Sequence, residues 1–223
     1  MSGRADPRAS RPAFDAPEGA RLVAPAAARN AGPIAEALVR LLGPEGGPVL
    51  EVGAGAGQHA VACAAALPGR RWLPTDPDPL HRDSVAAWTE DAGLANLAPA
   101  LALDASAPED WAAAREAAGG PVAAVFCANV IHIAPWAVAE GLAAGAAAAL
   151  APGGRLILYG PFLEHGAGAA GNLAFDRSLR ARDPAWGVRD LAEVSALAAR
   201  HGFGAPERVE MPANNLILAF ARG

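Results

Sequence analysis

Apolar positions along this chain fall into two recurring patterns, short β-branched runs and longer Ala- and Leu-rich stretches, and the two alternate. From Ala26 onward, Ile34, Leu38 and Leu41 or Leu42 recur at helical spacing, with Pro33 tolerated near the start of the helix they predict. The run Val49–Val52 predicts a strand, followed by a helix over about Gly57–Leu67. Next come a strand at Arg71–Thr75, a helix at Pro79–Asp91, a strand at Ala98–Leu103 and a helix at Pro108–Ala117. Val122–Cys127 is almost wholly apolar, the pattern of a strand buried on both faces. An Ala-rich helix from Pro135 to Leu150 is broken by Pro152-Gly153-Gly154, and Arg155–Tyr159 predicts the next strand. A helix near Asp190–His201 precedes two last strands, Glu207–Met211 and Leu216–Ala221. Alternation of this kind predicts an α/β fold, a doubly wound seven-stranded sheet with helices on both faces. The Pro212–Asn215 link is short enough for a hairpin, so the last strand should run antiparallel. Residues 1–20 show no periodicity and read as a disordered tail, leaving residues 21–223 as one domain.

The first strand runs into Glu51-Val52-Gly53-Ala54-Gly55-Ala56-Gly57-Gln58-His59, a tight turn leading to a helix start. Glycine at Gly53, Gly55 and Gly57 permits φ > 0 and a close approach of main chain to a ligand. The helix beginning there points unpaired N–H groups at the same place. A dinucleotide fingerprint would need glycine where Gln58 stands, and a P-loop would need a lysine, of which the chain has none. The E-x-G-x-G-x-G pattern that remains is the one seen in class I methyltransferases that use S-adenosylmethionine.

Composition narrows the partners. A net charge of −5 gives no basic footprint for nucleic acid. Cys63 and Cys127 are far apart without metal-ligand spacing and read as buried, reduced thiols of a cytoplasmic protein, and no metal is expected. No apolar run reaches the ~20 residues of a membrane span, and the N-terminus lacks the apolar core of a secretory signal. A small-molecule substrate is the remaining partner; nothing in the sequence fixes the oligomeric state.

A closer resemblance covers the chain from about Arg21 to its end. Arg29-Asn30, Leu50–Ala60, Asn129–Trp136, Tyr159-Gly160-Pro161-Phe162, Asn172–Asp176, Trp186–Asp190 and Met211–Asn215 together resemble the DUF938 family, also called the methyltransferase-like 26 family. The resemblance implies a class I methyltransferase fold and S-adenosylmethionine as cofactor, and leaves the acceptor open. Family members often carry Ser-Gly-Thr-Gly where this chain has Gly53–Gly57.

On that fold, Glu51 would anchor the loop or reach toward the methionine amino group, with Gly53 and Gly55 along the ribose and methionine. Asp76, 19 residues beyond Gly57, would accept the ribose hydroxyls, as an acidic residue about 20 positions on does in dinucleotide sites, or would cap the next helix. Asp104 would accept the adenine amino group or cap the helix from Pro108, and Asn129 would border the reacting end.

Methyl transfer from a sulfonium is an in-line displacement, so the protein must hold acceptor and methyl group about 3–3.5 Å apart. His132, just beyond the fourth strand, is the candidate base; the competing reading is a histidine that shapes its loop. Tyr159, the only tyrosine, is a second polar group expected at the cleft, and His59 reads as a first-turn helix residue near the cofactor. Residues 163–189 read as an irregular insertion suited to substrate recognition, with Asn172, Asp176 and Arg189 as the preferred contacts and Arg177, Arg180 and Arg182, at surface-helix spacing, as solvated helix charges. Asn214 and Asn215 either approach the same cleft or serve the turn. A cofactor-binding protein without methyl transfer is the alternative function; an NAD-type oxidoreductase fits the glycine pattern less well.

Overall fold

Alternate residues of the central strands face two separate apolar layers, so each strand is buried on both sides. The structure, a computed structural model, describes the backbone of residues 15–18 and 21–223 and the side chains from residue 21. Of the expected tail only Asp15–Glu18 (β1) is described, paired antiparallel with Arg21–Val23 (β2); the rest lies outside the described residues. The chain continues through α1 (Pro25–Leu42), β3 (Val49–Val52), α2 (Gln58–Ala66), β4 (Trp72–Thr75) and α3 (Pro79–Ala92). Then follow α4 (Pro108–Ala117), β5 (Val122–Ala128), α5 (Trp136–Ala149), β6 (Leu150–Pro161), α6 (Ala170–Arg182), α7 (Leu191–Arg200), β7 (Glu207–Met211) and β8 (Asn215–Ala221).

The main sheet has the order β4-β3-β5-β6-β8-β7. Its first four strands are parallel, and β8 runs antiparallel to both β6 and β7, as the short link before it predicts. The sheet has six strands where seven were expected. The predicted strand Ala98–Leu103 follows the outer edge of β4 through isolated bridges, Trp72 with Leu97 and Thr75 with Leu101. Three hydrogen bonds hold it there: Ala98 N to Trp72 O at 2.9 Å, Leu101 N to Pro74 O and Asp76 N to Leu101 O, both 3.0 Å. Pro74 lacks the N–H that a continuous ladder along this edge requires, and the register slips by one residue between the two bridges, so this segment stays irregular.

Leu50, Val52, Val125, Leu156, Leu218 and Phe220 pack toward α4, α5 and α7. Val49, Trp72, Phe126, Ile157 and Ile217 pack toward Ile34 and Leu38 of α1 and Cys63 and Ala64 of α2. Glycine in α5 has a packing cause: a Cβ at Gly145 would sit 2.0 Å from the Trp111 ring. Pro33 lies well inside α1 rather than near its start, because the helix already begins at Pro25. The missing Pro33 N–H leaves the Arg29 carbonyl without a helical partner, and Arg29 is exposed to solvent. Residues 163–189 are less irregular than expected. They contain α6, and Leu163, Leu179, Trp186 and Val188 form a small core of their own. Cys63 and Cys127 are both buried and unpaired.

Candidate active site

The turn after β3 takes left-handed backbone at Gly53 (φ 73°), Gly55 (φ 55°) and Gly57 (φ 96°). The three glycines have different surroundings. A Cβ at Gly53 would lie 2.3 Å from Cγ2 of Val130, and one at Gly57 would lie 3.0 Å from Cα of Val85. At Gly55 a Cβ would meet nothing within 4 Å. Gly53 and Gly57 therefore serve close packing, while Gly55 borders open space where a ligand backbone-contact can form. Gly53 N and Ala54 N both donate to Thr75 O at 2.9 Å, which fastens the turn to the end of β4.

Asp76 stands at that end, 4% exposed. Its Oδ2 accepts the Gly55 N–H at 2.9 Å; Oδ1 accepts Asp78 N at 2.9 Å and meets His81 Nδ1 at 3.0 Å. An ionised carboxylate offers about four acceptor positions. Three are taken here, so a ligand can claim one directly and a second only by displacing a partner. The N-cap of α3 is Asp78, not Asp76: Asp78 accepts Leu80 N at 2.9 Å. Leu80, just beyond, exposes 51% of its surface.

Glu51 departs from its expected place. Its side chain turns into the sheet, 1% exposed, and accepts Trp72 Nε1 at 2.7 Å. Burial pushes its carboxyl up to about 7, the Trp72 bond opposing and the Asp76 charge adding to the rise. Glu51 therefore joins β3 to β4 and does not reach a ligand over the loop. Asp104 is exposed, and its Oδ1 accepts Ser106 N at 2.9 Å and Ser106 Oγ at 2.6 Å. The cap position of α4 is Ala107, so Asp104 is not a helix cap.

Asn129, at the exit of β5, adopts φ 62°, a conformation that asparagine tolerates better than most residues. Its N–H donates to Tyr159 O at 2.8 Å, which ties the tips of β5 and β6 together. His132 follows in a short 3₁₀ turn and is wholly buried. The Arg189 N–H donates to its Nδ1 at 3.3 Å, which places the ring proton on Nε2, a nitrogen without a hydrogen-bond partner among the described residues. The ring meets Phe162 edge-on at 5.1 Å and leaves room for no side chain at Gly160, where a Cβ would be 2.4 Å from Nε2. Burial, then the Arg189 charge, hold this imidazole down at about 3. The expectation of a base within reach of an entering acceptor is corrected here: the ring is enclosed, and its one basic nitrogen is already engaged.

Tyr159 is also enclosed, 3% exposed. Its oxygen accepts Asn30 Nδ2 at 3.2 Å, and Asn30 Oδ1 takes His59 Nε2 at 2.7 Å. Burial holds His59 down at about 4, so the neutral ring donates through Nε2. This Asn30-centred chain was missed; the signal available was the Arg29-Asn30 pair at the head of the quoted motifs.

Of the three expected substrate contacts, two are structural. Arg189 donates Nε to Ile131 O at 2.8 Å and Nη2 to Ala134 O at 2.7 Å and Ala185 O at 2.9 Å, with its guanidinium over Trp136. Asp176 accepts Arg180 Nε at 3.0 Å and Val188 N at 2.9 Å. Both fasten the 183–190 loop. Asn172 alone lines a cavity, of about 320 Å³, and donates Nδ2 to Asn214 O at 2.9 Å. Asn214 lines the same cavity, while Asn215 closes its own turn on Pro212 O at 3.0 Å. Among the described residues, no group of three or more His, Cys, Asp and Glu could hold a metal ion, and no helix is long and apolar enough to cross a membrane.

Solved methyltransferases share this architecture. The mitomycin 7-O-methyltransferase superposes with a TM-score of 0.72 at 18% identity, over 89% of this chain and 54% of that one. Human N-acetylserotonin methyltransferase, solved with SAM, gives 0.65 at 17% identity, over 87% of this chain and 52% of that one. The chain thus spans about half the length of these two proteins. Magnesium protoporphyrin IX methyltransferase from Synechocystis, solved with bound SAH, gives 0.64 at 17% identity, over 87% and 82% of the two chains. The fold is that of the class I methyltransferases. The sequence model of DUF938, described as a protein of unknown function, matches residues 21–222, and the chain belongs to that family.

Proposed function

We propose that this chain binds S-adenosylmethionine at the Gly53–Gly57 turn and methylates a small-molecule acceptor. One observation carries the reading: Gly55, left-handed and open at its Cβ, is bonded directly to the carboxylate at the next strand tip. Residues of this kind fit the cofactor. The bare Gly55 backbone can lie along it, Asp76 keeps an acceptor position for a ribose hydroxyl, and Leu80, four residues on, offers exposed apolar surface. When bound, S-adenosylmethionine supplies a methyl group on a sulfonium, already activated for transfer. The names of two similar proteins, which act on mitomycin and on N-acetylserotonin, support a small-molecule acceptor.

The protein's share of the work is then to position and to exclude water. His132 shapes the floor of the loop after β5, holding Arg189 N and packing on Phe162. Tyr159 accepts from Asn30 and keeps its O–H free to donate. The second reading, a protein that binds the cofactor without transferring methyl, draws on the burial of His132, the candidate base, and of Tyr159.

Calorimetric titration with S-adenosylhomocysteine and with NAD tests the first part; only the former should bind, and Gly55→Val should abolish it. Preference for NAD, or unimpaired binding by Gly55→Val, would overturn the assignment. Labelled methyl transfer into metabolite pools separates the enzyme from the binding protein.

A further inference from the structure

A second concavity lies at the exit of β6 and the entrance to β8, where Phe162 follows one strand and Leu216 opens the other. Its volume, about 320 Å³, suits a small molecule. It is built. Asn172 is 8% exposed, and its Nδ2 holds the carbonyl of Asn214, itself in a left-handed turn with Ala213. Asn172 Oδ1, by contrast, accepts no hydrogen bond among the described residues.

The remaining polar groups decide what could bind. Arg208 is the only cation lining the cavity among the described residues, and it is paired with two carboxylates: Nη1 donates to Glu164 at 2.6 Å and Nε to Glu210 at 2.8 Å. Two carboxylates against one guanidinium leave a net negative rim. Asn172 Oδ1 adds an unclaimed acceptor to the same cavity. Phe162 and Leu216 supply apolar walls.

We propose that this cavity binds a small amine in its ammonium form, with the charged nitrogen toward Asn172 Oδ1 and the Glu164–Glu210 rim and an apolar body on Phe162 and Leu216. That the bound amine is also the methyl acceptor rests on the function proposed above; the test reads binding alone.

The probes are phenethylamine, phenethyl alcohol and 3-phenylpropionate, which share a ring and differ in the polar end. Each is titrated into the full chain at neutral pH while NMR follows the Asn172 side-chain amide and the Leu216 methyl groups. Phenethylamine should shift both saturably, the alcohol should bind more weakly, and the carboxylate should not saturate. Glu210→Gln, a change at a side chain 72% exposed and so harmless to folding, should weaken the amine about two- to fivefold, the range for an exposed ion pair. Equal or tighter binding of the carboxylate, amine shifts confined to other residues, or no shift with any probe overturns the proposal. A parallel titration with S-adenosylhomocysteine, read at the Gly53–Gly57 amides, keeps the two readings separate. Its failure removes the cofactor assignment and leaves the amine result standing.

Discussion

The Asp76 carboxylate accepts the Gly55 N–H at 2.9 Å, so the acidic strand tip and the open glycine are parts of one rigid corner. The consequence is that the loop is shaped before any ligand arrives, and the entropy of ordering it is not charged to binding. Asp76→Ala removes both the loop's anchor and the remaining acceptor position. S-adenosylhomocysteine affinity should fall by about 1.5–3 kcal/mol, the range for hydrogen bonds to a charged group. Asp76→Asn, which keeps one acceptor oxygen, should lose less; calorimetry on both variants checks the order, and equal losses would argue that charge, not the loop anchor, dominates.

Two glycines of the same turn should fail in different ways. Gly53→Ala places a methyl group 2.3 Å from Val130 and should cost about 1–3 kcal/mol of stability, as overpacking does. At Gly55 a Cβ meets no atom within 4 Å, so the stability cost of Gly55→Val should come mainly from a strained backbone, and its main effect should be lost cofactor binding. Urea unfolding and calorimetry on each separate the effects.

Burial sets an acid response with opposing parts. His132 stays down at about 3 and His59 at about 4, while Glu51 rises to about 7. Below about pH 6.5 the unfolded chain protonates both histidines and the folded chain does not, so each removes about 1.4 kcal/mol of stability per pH unit. Glu51 acts the other way between about 7 and 4.5, where the folded chain holds a proton that the unfolded carboxyl lacks. Acidification through that window therefore costs the equivalent of one histidine. In Glu51→Gln two histidines act unopposed, and the slope measured by urea unfolding should be about twice as steep. An unchanged slope would mean an ordinary carboxylate at Glu51. The His132 ring signals should not titrate between about pH 8 and 5, the range in which an unperturbed histidine changes charge.

Arg189→Lys should behave as a stability variant. The guanidinium spans three carbonyls and stacks over Trp136, a geometry that an ammonium cannot reproduce. Loss of about 1.5–3 kcal/mol in urea unfolding is expected, with phenethylamine affinity unchanged. A stable variant with altered ligand affinity would return Arg189 to the binding site.

The parts legible in the sequence were those set by local chemistry. Periodicity placed α4 and β7 to the residue, and Gly53–Gly57 with Asp76 announced a corner that the fold does assemble. What escaped was decided by distant partners. Nothing near Arg189 says that its targets are carbonyls at Ile131 and Ala134, and nothing near Glu51 names Trp72. α6 was legible only in the spacing of Arg177, Arg180 and Arg182, for another reason: only Asn172 and Leu179 of its thirteen residues are buried, so it carries no apolar stripe to read. Pro74 and Pro99 were visible, yet what they do depends on the Leu97–Leu101 segment lying along β4, a pairing known only once the strands are placed.

Those two prolines also bear on how the molecule keeps company with its copies. An open sheet exposes two edges whose unpaired N–H and C=O groups can template another chain. Here one edge is lined by the Leu97–Leu101 segment, which Pro99 renders a poor template. The other is β7, five residues long, with Glu207, Arg208 and Glu210 among them. A strand from a second molecule would have to desolvate those charges to dock. Fibrous self-association is thus discouraged at both borders by side chains that contribute nothing to the core.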